Sequence, residues 1–365
     1  MTAPCAKRSL LRWITLVSLA LGAPVSAAPS QTPNRLPRED LLLYHARHGE
    51  VMRAKTKAGW LKRREEVLAG MQQVMGPLPG IDRRCALDMR IETETDCGAY
   101  LQRLITYASE PGSRVPAYCL IPKAALQGTK RFPAVLALHS TDMEFGHRVL
   151  VEPVRTHYRA FARDLVERQF VVLAPAYPQM ANYHPDLDSL GYRSGSMKAI
   201  WDNLRGVDLL ESLPFVIPGR IGALGHSLGG HNAIYTAVFD QRIRAIVSSC
   251  GFDSFLDYKQ GNIEGWTSPR YMPRLRDYQH RLADIPFDFH ELIGALAPRP
   301  VFINAPIHDS NFAYRSVDRI VTAAKPVYRL YGATRRLVAL HPDCGHDFPA
   351  DTREQAYSFL ADQLK

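Results

Sequence analysis

The sequence predicts an α/β protein with a mostly parallel central sheet, helices on both of its faces and antiparallel strands at its amino-terminal side. Three observations carry that expectation. Short, continuously apolar segments such as Phe132 to Leu138 and Phe170 to Ala174 read as strands buried on both faces. They alternate with longer amphipathic stretches such as Met197 to Leu213, which is the beat of a parallel sheet covered by helices. At one strand-to-helix junction stands Gly225-His226-Ser227-Leu228-Gly229, a tight turn that presents a serine at the end of a strand.

The chain has 365 residues, 46% of them hydrophobic and 22% charged, an ordinary globular composition. Residues 1–27 read as a signal peptide. Lys7, Arg8 and Arg12 make a basic start, Trp13 to Gly22 is a short apolar run, and Val25-Ser26-Ala27 offers small residues for cleavage. The run falls short of the ~20 residues that cross a bilayer, so the expectation is a secreted or periplasmic protein without a membrane span. The leader carries three of the nine excess positive charges. The remaining Lys and Arg are interspersed with acids, as in Arg163-Asp164 and Glu167-Arg168, and form no basic stripe of the kind nucleic acid requires. Five cysteines lie beyond the leader: Cys85, Cys97, Cys119, Cys250 and Cys344. Cys85 and Cys97 bracket what reads as a hairpin and are the expected disulfide. No Cys/His spacing suggests zinc, and no metal is expected.

After a Pro-rich stretch from Pro29 to Pro37, an amino-terminal helical segment occupies 36–80, with helical patterning from Arg38 to Met75 that Pro77 and Pro79 end. A catalytic domain is expected over 85–365. It opens with strands at Leu87 to Ile91, Leu101 to Ile105 and Val115 to Ile121, read as antiparallel. Beyond Phe132 to Leu138 come a helix over Val154 to Arg168, the strand Phe170 to Ala174, the helix Met197 to Leu213, the strand Ile221 to Leu224 and the helix Leu228 to Phe239. Strands at Ile243 to Ser248, Val301 to Asn304 and Leu337 to His341, with helices Ala313 to Ala324 and Arg353 to Leu364, complete the beat. Residues 252–296 interrupt it and read as a lid insertion.

Ser227 is the candidate nucleophile. Neighbouring strand and helix pass so close around such a turn that only glycine is tolerated two residues to either side, and the helix amino terminus supplies an N–H for a developing oxyanion. The partners follow in the order acid, then histidine. His346, in Cys344-Gly345-His346-Asp347-Phe348 after the last strand, is the candidate base, with His341 as its nearest rival on the strand itself. Asp309 is the candidate acid, with Asp253 after the preceding strand as the alternative; either could also be a helix cap. The oxyanion donors are expected at Leu228 and in the turn that begins His139-Ser140-Thr141. Within the insertion, Trp266 and Tyr271 offer flat faces for a sugar ring or acyl chain. Arg270, Arg274, Arg276 and Arg281 favour an anionic substrate, and Gly261 and Gly265 are candidate hinges.

From about Tyr107 onward the chain resembles the acetylxylan-esterase, dienelactone-hydrolase and prolyl-oligopeptidase branch of the α/β-hydrolases. The carrying stretches are Tyr107 to Gly112 with Val115 to Tyr118, Leu138-His139, Gly225 to Gly230 and Cys344 to Phe348. Pro286 to Leu292 followed by Ala297 to Pro300 is similar to a block in glucuronoyl-esterase-like carbohydrate esterases. Those esterases carry a distinctive arginine after the nucleophile, where Leu228 stands here. The resemblance implies hydrolysis of a carboxylic ester, from a small molecule or a carbohydrate, with neither metal nor organic cofactor. Two other readings remain: a prolyl-oligopeptidase-like peptidase, for which the amino-terminal part is too short to build the usual propeller, and a hydrolase fold used only for binding.

Overall fold

Every strand from residue 100 onward that the apolar pattern predicts finds its place in one sheet of the computed structural model, which describes residues 1–2, 35–128, 130–154 and 159–365. The signal-peptide reading of 1–27 lies outside the described residues save Met1 and Thr2. Residues 35–365 form one compact unit.

In chain order the elements are β1 (Leu43–His45), β2 (Val51–Arg53), α1 (Lys57–Met75), β3 (Arg90–Asp96), β4 (Tyr100–Glu110), β5 (Ser113–Pro122), α2 (Lys123–Leu126), β6 (Phe132–Leu138), α3 (Phe161–Glu167), β7 (Val171–Pro175), α4 (Gly195–Ser212), β8 (Val216–His226), α5 (Leu228–Phe239), β9 (Ile243–Ser249), α6 (Phe289–Ala295), β10 (Val301–Asn304), α7 (Tyr314–Leu330), β11 (Leu337–Leu340) and α8 (Ala350–Leu364). The main sheet runs β11-β10-β9-β8-β6-β7-β5-β4-β3. β3, β4 and β5 pair antiparallel, β5 joins β7 antiparallel, and β7, β6, β8, β9, β10 and β11 pair parallel. All seven residues of β6 and all five of β7 are buried, as strands covered on both faces must be. One core cluster gathers the face covered by α1, α4, α5 and α7, and a second the face covered by α3 and α8.

The chain leaves β6 for β7 on one side and then returns to β8 on the other. This reversal opens a crevice beyond the carboxyl ends of β6 and β8, the place where open α/β sheets bind ligands.

Four expectations are corrected. The amino-terminal helix begins only at Lys57, capped by Thr56, whose side chain accepts the Gly59 N–H; the residues before it form the β1–β2 hairpin. The helix expected from Val154 is confined to Phe161–Glu167 among the described residues, with Arg159 ahead of it facing Asp142 at 3.6 Å. The first predicted strand is displaced to Arg90–Asp96. That shift undoes the expected disulfide. Cys85 and Cys97 flank a single seven-residue strand, whose ends lie more than ~20 Å apart, and both thiols are free; a disulfide needs Cα atoms within about 7 Å.

Among the described residues no helix is long and apolar enough to cross a membrane. The 252–296 segment consists of short 3₁₀ turns and α6, and it buries Phe255, Trp266, Leu275 and Phe287 in the main core. Gly261 adopts φ 88°, but Gly265, expected as a hinge, is a packing glycine: a Cβ there would lie 2.6 Å from the Tyr258 hydroxyl.

Candidate active site

Ser227 is the residue between β8 and α5, and its backbone is strained at φ 56°, ψ −120°. A non-glycine residue is held there only where its surroundings over-determine it. Here the Ser227 N–H donates to Ser249 O at 2.8 Å, while its carbonyl accepts the Gly230 N–H at 2.9 Å. The flanking glycines are steric necessities. A Cβ on Gly225 would collide with the Gly229 backbone, and one on Gly229 with the Leu138 carbonyl. Leu138 and His139 therefore run directly against the first turn of α5.

The two carboxyl-end loops after β10 and β11 are laced together. Ala305 N–H donates to Leu340 O, Ile307 N–H to Pro342 O and His308 N–H to Cys344 O, at 2.9–3.0 Å. This lacing brings Asp309 to His346 and both to Ser227. His346 Nε2 lies 3.0 Å from Ser227 Oγ, and Nδ1 lies 2.9 Å from each oxygen of Asp309. The Asp309 side chain is 1% exposed and that of His346 19%, so the acid is shielded and the imidazole edge is open. Asp309 Oδ1 also accepts the N–H groups of Asn311 and Phe312 at 2.7 and 3.2 Å, which fixes the carboxylate plane. With Nδ1–H donated to the acid, Nε2 is left as the acceptor for the serine proton.

The rivals have other partners. His341 Nδ1 faces Ala305 O and its Nε2 faces Asp318. Asp253 Oδ2 accepts the Ala313 N–H at 3.0 Å ahead of α7, and burial, reinforced by Asp257, Asp288 and Asp309, pushes its carboxyl up to about 8.

Leu228 is the first residue of α5, so its N–H has no partner within the helix. Its side chain is buried with Tyr177, Met180 and Ala199, and Tyr271 packs against them. His139 is a brace. It is 3% exposed, its Nδ1–H donates to Ser140 O at 2.7 Å, and its Nε2 accepts the Tyr177 N–H at 2.9 Å. Burial lowers its pKa to about 4, so the ring stays neutral in this role and only its backbone borders the crevice. Ser140 is 3% exposed and follows in the same turn.

Trp266 requires a correction. At 3% exposure it offers no open face, because its ring is packed among His231, Phe255, Tyr258 and Phe312 at centroid distances of 4.7–6.2 Å. Phe312 in turn lies 6.0 Å from the His346 ring. The indole thus backs the wall beside the base. The arginine run also separates: Arg274 and Arg281 face Asp277 and Asp284, at 3.6 and 3.9 Å.

Three supporting residues escaped the sequence reading. Asn304 Nδ2 donates to Asp347 O and Ser249 Oγ, tying the base-bearing loop to β9 and β10. His226 stacks on Phe348 and lies 5.1 Å from the His346 ring, with Nδ1 on Ser249 Oγ. Cys250, at φ 47°, has its thiol 3.2 Å from Asp347 O. Position in the elbow motif could have singled out His226; nothing local marks the other two. Cys250, Asp309 and His346 place ligand atoms within 4.8 Å of one another, but they do not suit a metal. Both imidazole nitrogens of His346 are engaged by Asp309 and Ser227, and burial drives the Cys250 thiol away from the thiolate that a metal needs.

Residues 186–332 match the sequence profile described as glucuronyl esterase, fungi. Over 258 residues the chain is 28% identical to a Bacillus subtilis (strain 168) protein named as the hydrolase YtaP, covering 68% of this chain and 83% of that one. It is 25% identical over 199 residues to the 4-O-methyl-glucuronoyl methylesterase of Hypocrea jecorina (strain QM6a), covering 48% of this chain and 42% of the relative. Among solved structures, the glucuronoyl esterase from Solibacter usitatus superposes with a TM-score of 0.73 at 19% identity, over 90% of this chain and 98% of that one. With six parallel strands flanked by helices and a serine elbow at the switch point, this chain has the α/β-hydrolase fold.

Proposed function

We propose that the protein is a serine hydrolase of carboxylic esters carried on carbohydrate, with Ser227, His346 and Asp309 as its triad. The observation that carries this reading is the continuous line from Ser227 Oγ to His346 Nε2 at 3.0 Å and from Nδ1 to Asp309 at 2.9 Å. Ester chemistry, rather than peptide cleavage or binding alone, is supported by the relatives, which are named as hydrolases and methylesterases. In the first step Ser227 Oγ attacks the ester carbonyl while His346 Nε2 takes its proton, and Asp309 stabilises the imidazolium. The tetrahedral oxyanion is held by the Leu228 N–H and a donor from the Ser140 turn. His346 returns the proton to the departing alcohol, leaving an acyl-enzyme. Water, activated by the same imidazole, then releases the acid.

In this reading residues 85–365 are the catalytic domain, 36–80 brace it through α1, and 252–296 form its lid. Residues 1–27 direct export, so that the enzyme works outside the cytoplasm. A fluorophosphonate should label Ser227 and abolish turnover of p-nitrophenyl acetate, whereas Ser227→Ala should take no label and show no turnover to begin with. Undiminished labelling of that variant would place the nucleophile elsewhere.

A further inference from the structure

We propose that Arg270 reads a free carboxylate on the substrate, making the enzyme selective for esters of acidic molecules; this rests on the ester-hydrolase reading above. Of the four arginines clustered in 252–296, it alone has a hydrogen bond, among the described residues, to the loop that follows β6. Its guanidinium donates to Met143 Sδ at 2.8 Å, and a thioether is a weak acceptor that leaves the charge unneutralised. Among the described residues no carboxylate lies within ion-pair distance of it. Arg274 and Arg281, by contrast, each face an acid.

The backbone around Arg270 is fixed. The first N–H groups of α4 donate into this segment, Gly195 to Pro269 O at 2.8 Å and Ser196 to Tyr271 O at 3.2 Å, and the Tyr177 hydroxyl donates to Arg270 O at 2.8 Å. A Cβ on Gly195 would collide with the Arg270 carbonyl, which shows how closely the two backbones meet.

The next residue ties the cation to the reacting centre. Tyr271 OH lies 2.9 Å from Thr141 Oγ1, in the turn expected to donate to the oxyanion, and its ring packs against the cluster that holds Leu228. Arg270 is therefore a cation beside the loop that carries Ser140 and Thr141, pre-positioned by its backbone and lacking a counter-ion among the described residues. A carboxylate on the substrate would supply that partner, in the planar two-point geometry a guanidinium favours. The sequence places an arginine run in this region; only the structure separates Arg270, which touches the loop after β6, from Arg274 and Arg281, which pair with acids at the surface.

The test compares kcat/KM for carboxylate esters with that for their neutral amide counterparts. Three pairs sample both sides of the scissile bond: 4-acetoxybenzoate, 4-(4-acetoxyphenyl)butanoate and monomethyl terephthalate, each against its carboxamide. Because intrinsic reactivities within a pair differ, the readout is the change in the charged-to-neutral ratio between the parent and Arg270→Gln. At low ionic strength that ratio should fall roughly 3- to 10-fold for at least one pair, the size expected of a single partly exposed charge contact. The difference should shrink as salt is added. Arg276→Gln, whose exposed side chain does not reach the loop, should leave the ratio in place. A ratio unmoved by Arg270→Gln in all three pairs, or lowered equally by Arg276→Gln, overturns the assignment. If the parent hydrolyses none of these esters and no p-nitrophenyl acetate, the ester-hydrolase reading itself fails.

Discussion

Replacing Asp309 by Asn tests the relay at the point where structure, rather than charge alone, determines the outcome. The two carboxylate oxygens are not equivalent. Oδ1 accepts the N–H groups of Asn311 and Phe312 in addition to facing His346, whereas Oδ2 faces His346 Nδ1 and accepts no backbone N–H among the described residues. An asparagine in the same pocket must keep its carbonyl oxygen at the Oδ1 position, because an amide NH₂ there would confront two N–H donors. Its NH₂ then lies at the Oδ2 position and donates to Nδ1. The imidazole is forced into the Nε2–H tautomer, with its proton aimed at Ser227 Oγ, and cannot accept the serine proton. Reversal of the tautomer costs about four orders of magnitude in kcat, or ~5.5 kcal/mol of transition-state stabilisation at 1.36 kcal/mol per tenfold. The fold should hardly notice, since the retained carbonyl still satisfies both backbone donors and Asn is as good a cap as Asp. The assay is p-nitrophenyl acetate turnover alongside thermal unfolding. A loss of less than tenfold, or a comparable loss in Asp253→Asn, would refute the assignment of Asp309.

Gly229→Ala places a methyl group into the Leu138 carbonyl. The loop that carries the second oxyanion donor must shift, and kcat should fall by at least ~10²-fold with roughly 1–3 kcal/mol of destabilisation; turnover near the parent's would show that this loop does not set the oxyanion site. Asp253→Asn should stabilise the protein, and more so at pH 8 than at pH 5. With its folded carboxyl raised to about 8 and an unfolded value near the usual ~3.9, the folded chain retains a proton that the unfolded chain has released, so stability falls as pH rises through that window and levels off above it. A gain in Tm that is the same at both pH values would mean that Asp253 is already ionised. Lys198→Met removes the cation that lies 2.5 Å from Asp202, 3.1 Å from Glu110 and 3.0 Å from Ser109 Oγ, all buried. Two carboxylates are left without their shared ammonium, and denaturant unfolding should show a loss of ~3–5 kcal/mol; a loss under 1 kcal/mol would show that water or a proton takes its place.

Local patterning was sufficient for those parts of the molecule whose chemistry is local. Continuous apolar runs identify β6, β7 and β10 because a strand buried on both faces tolerates little else. The serine elbow is legible because its glycines answer a steric demand created within five residues, by the approach of Gly225 to Gly229. The amino-terminal part was less legible. Leu41 to Tyr44 carry no period that separates helix from hairpin, and the Cys85–Cys97 pairing rested on a strand register that the sheet sets elsewhere.

By itself, then, the sequence determined the α/β class, the alternation of strands and helices, and a serine elbow with a histidine after the last strand; the strand order that creates the switch point emerged only in the fold. The tertiary structure decided whatever depends on pairing between distant loops. It placed Asp309 rather than Asp253 on the imidazole, through backbone bonds between 305–308 and 340–344 that no sequence motif encodes. It turned Trp266 from an open platform into a wall behind Phe312. It also left Arg270 without an acid among the described residues, while Arg274 and Arg281 found theirs. Spacing along the chain sets which residues can share an element; which side chains meet across the crevice is set by the packing of separate elements, and the charge and exposure of each follow only from that packing.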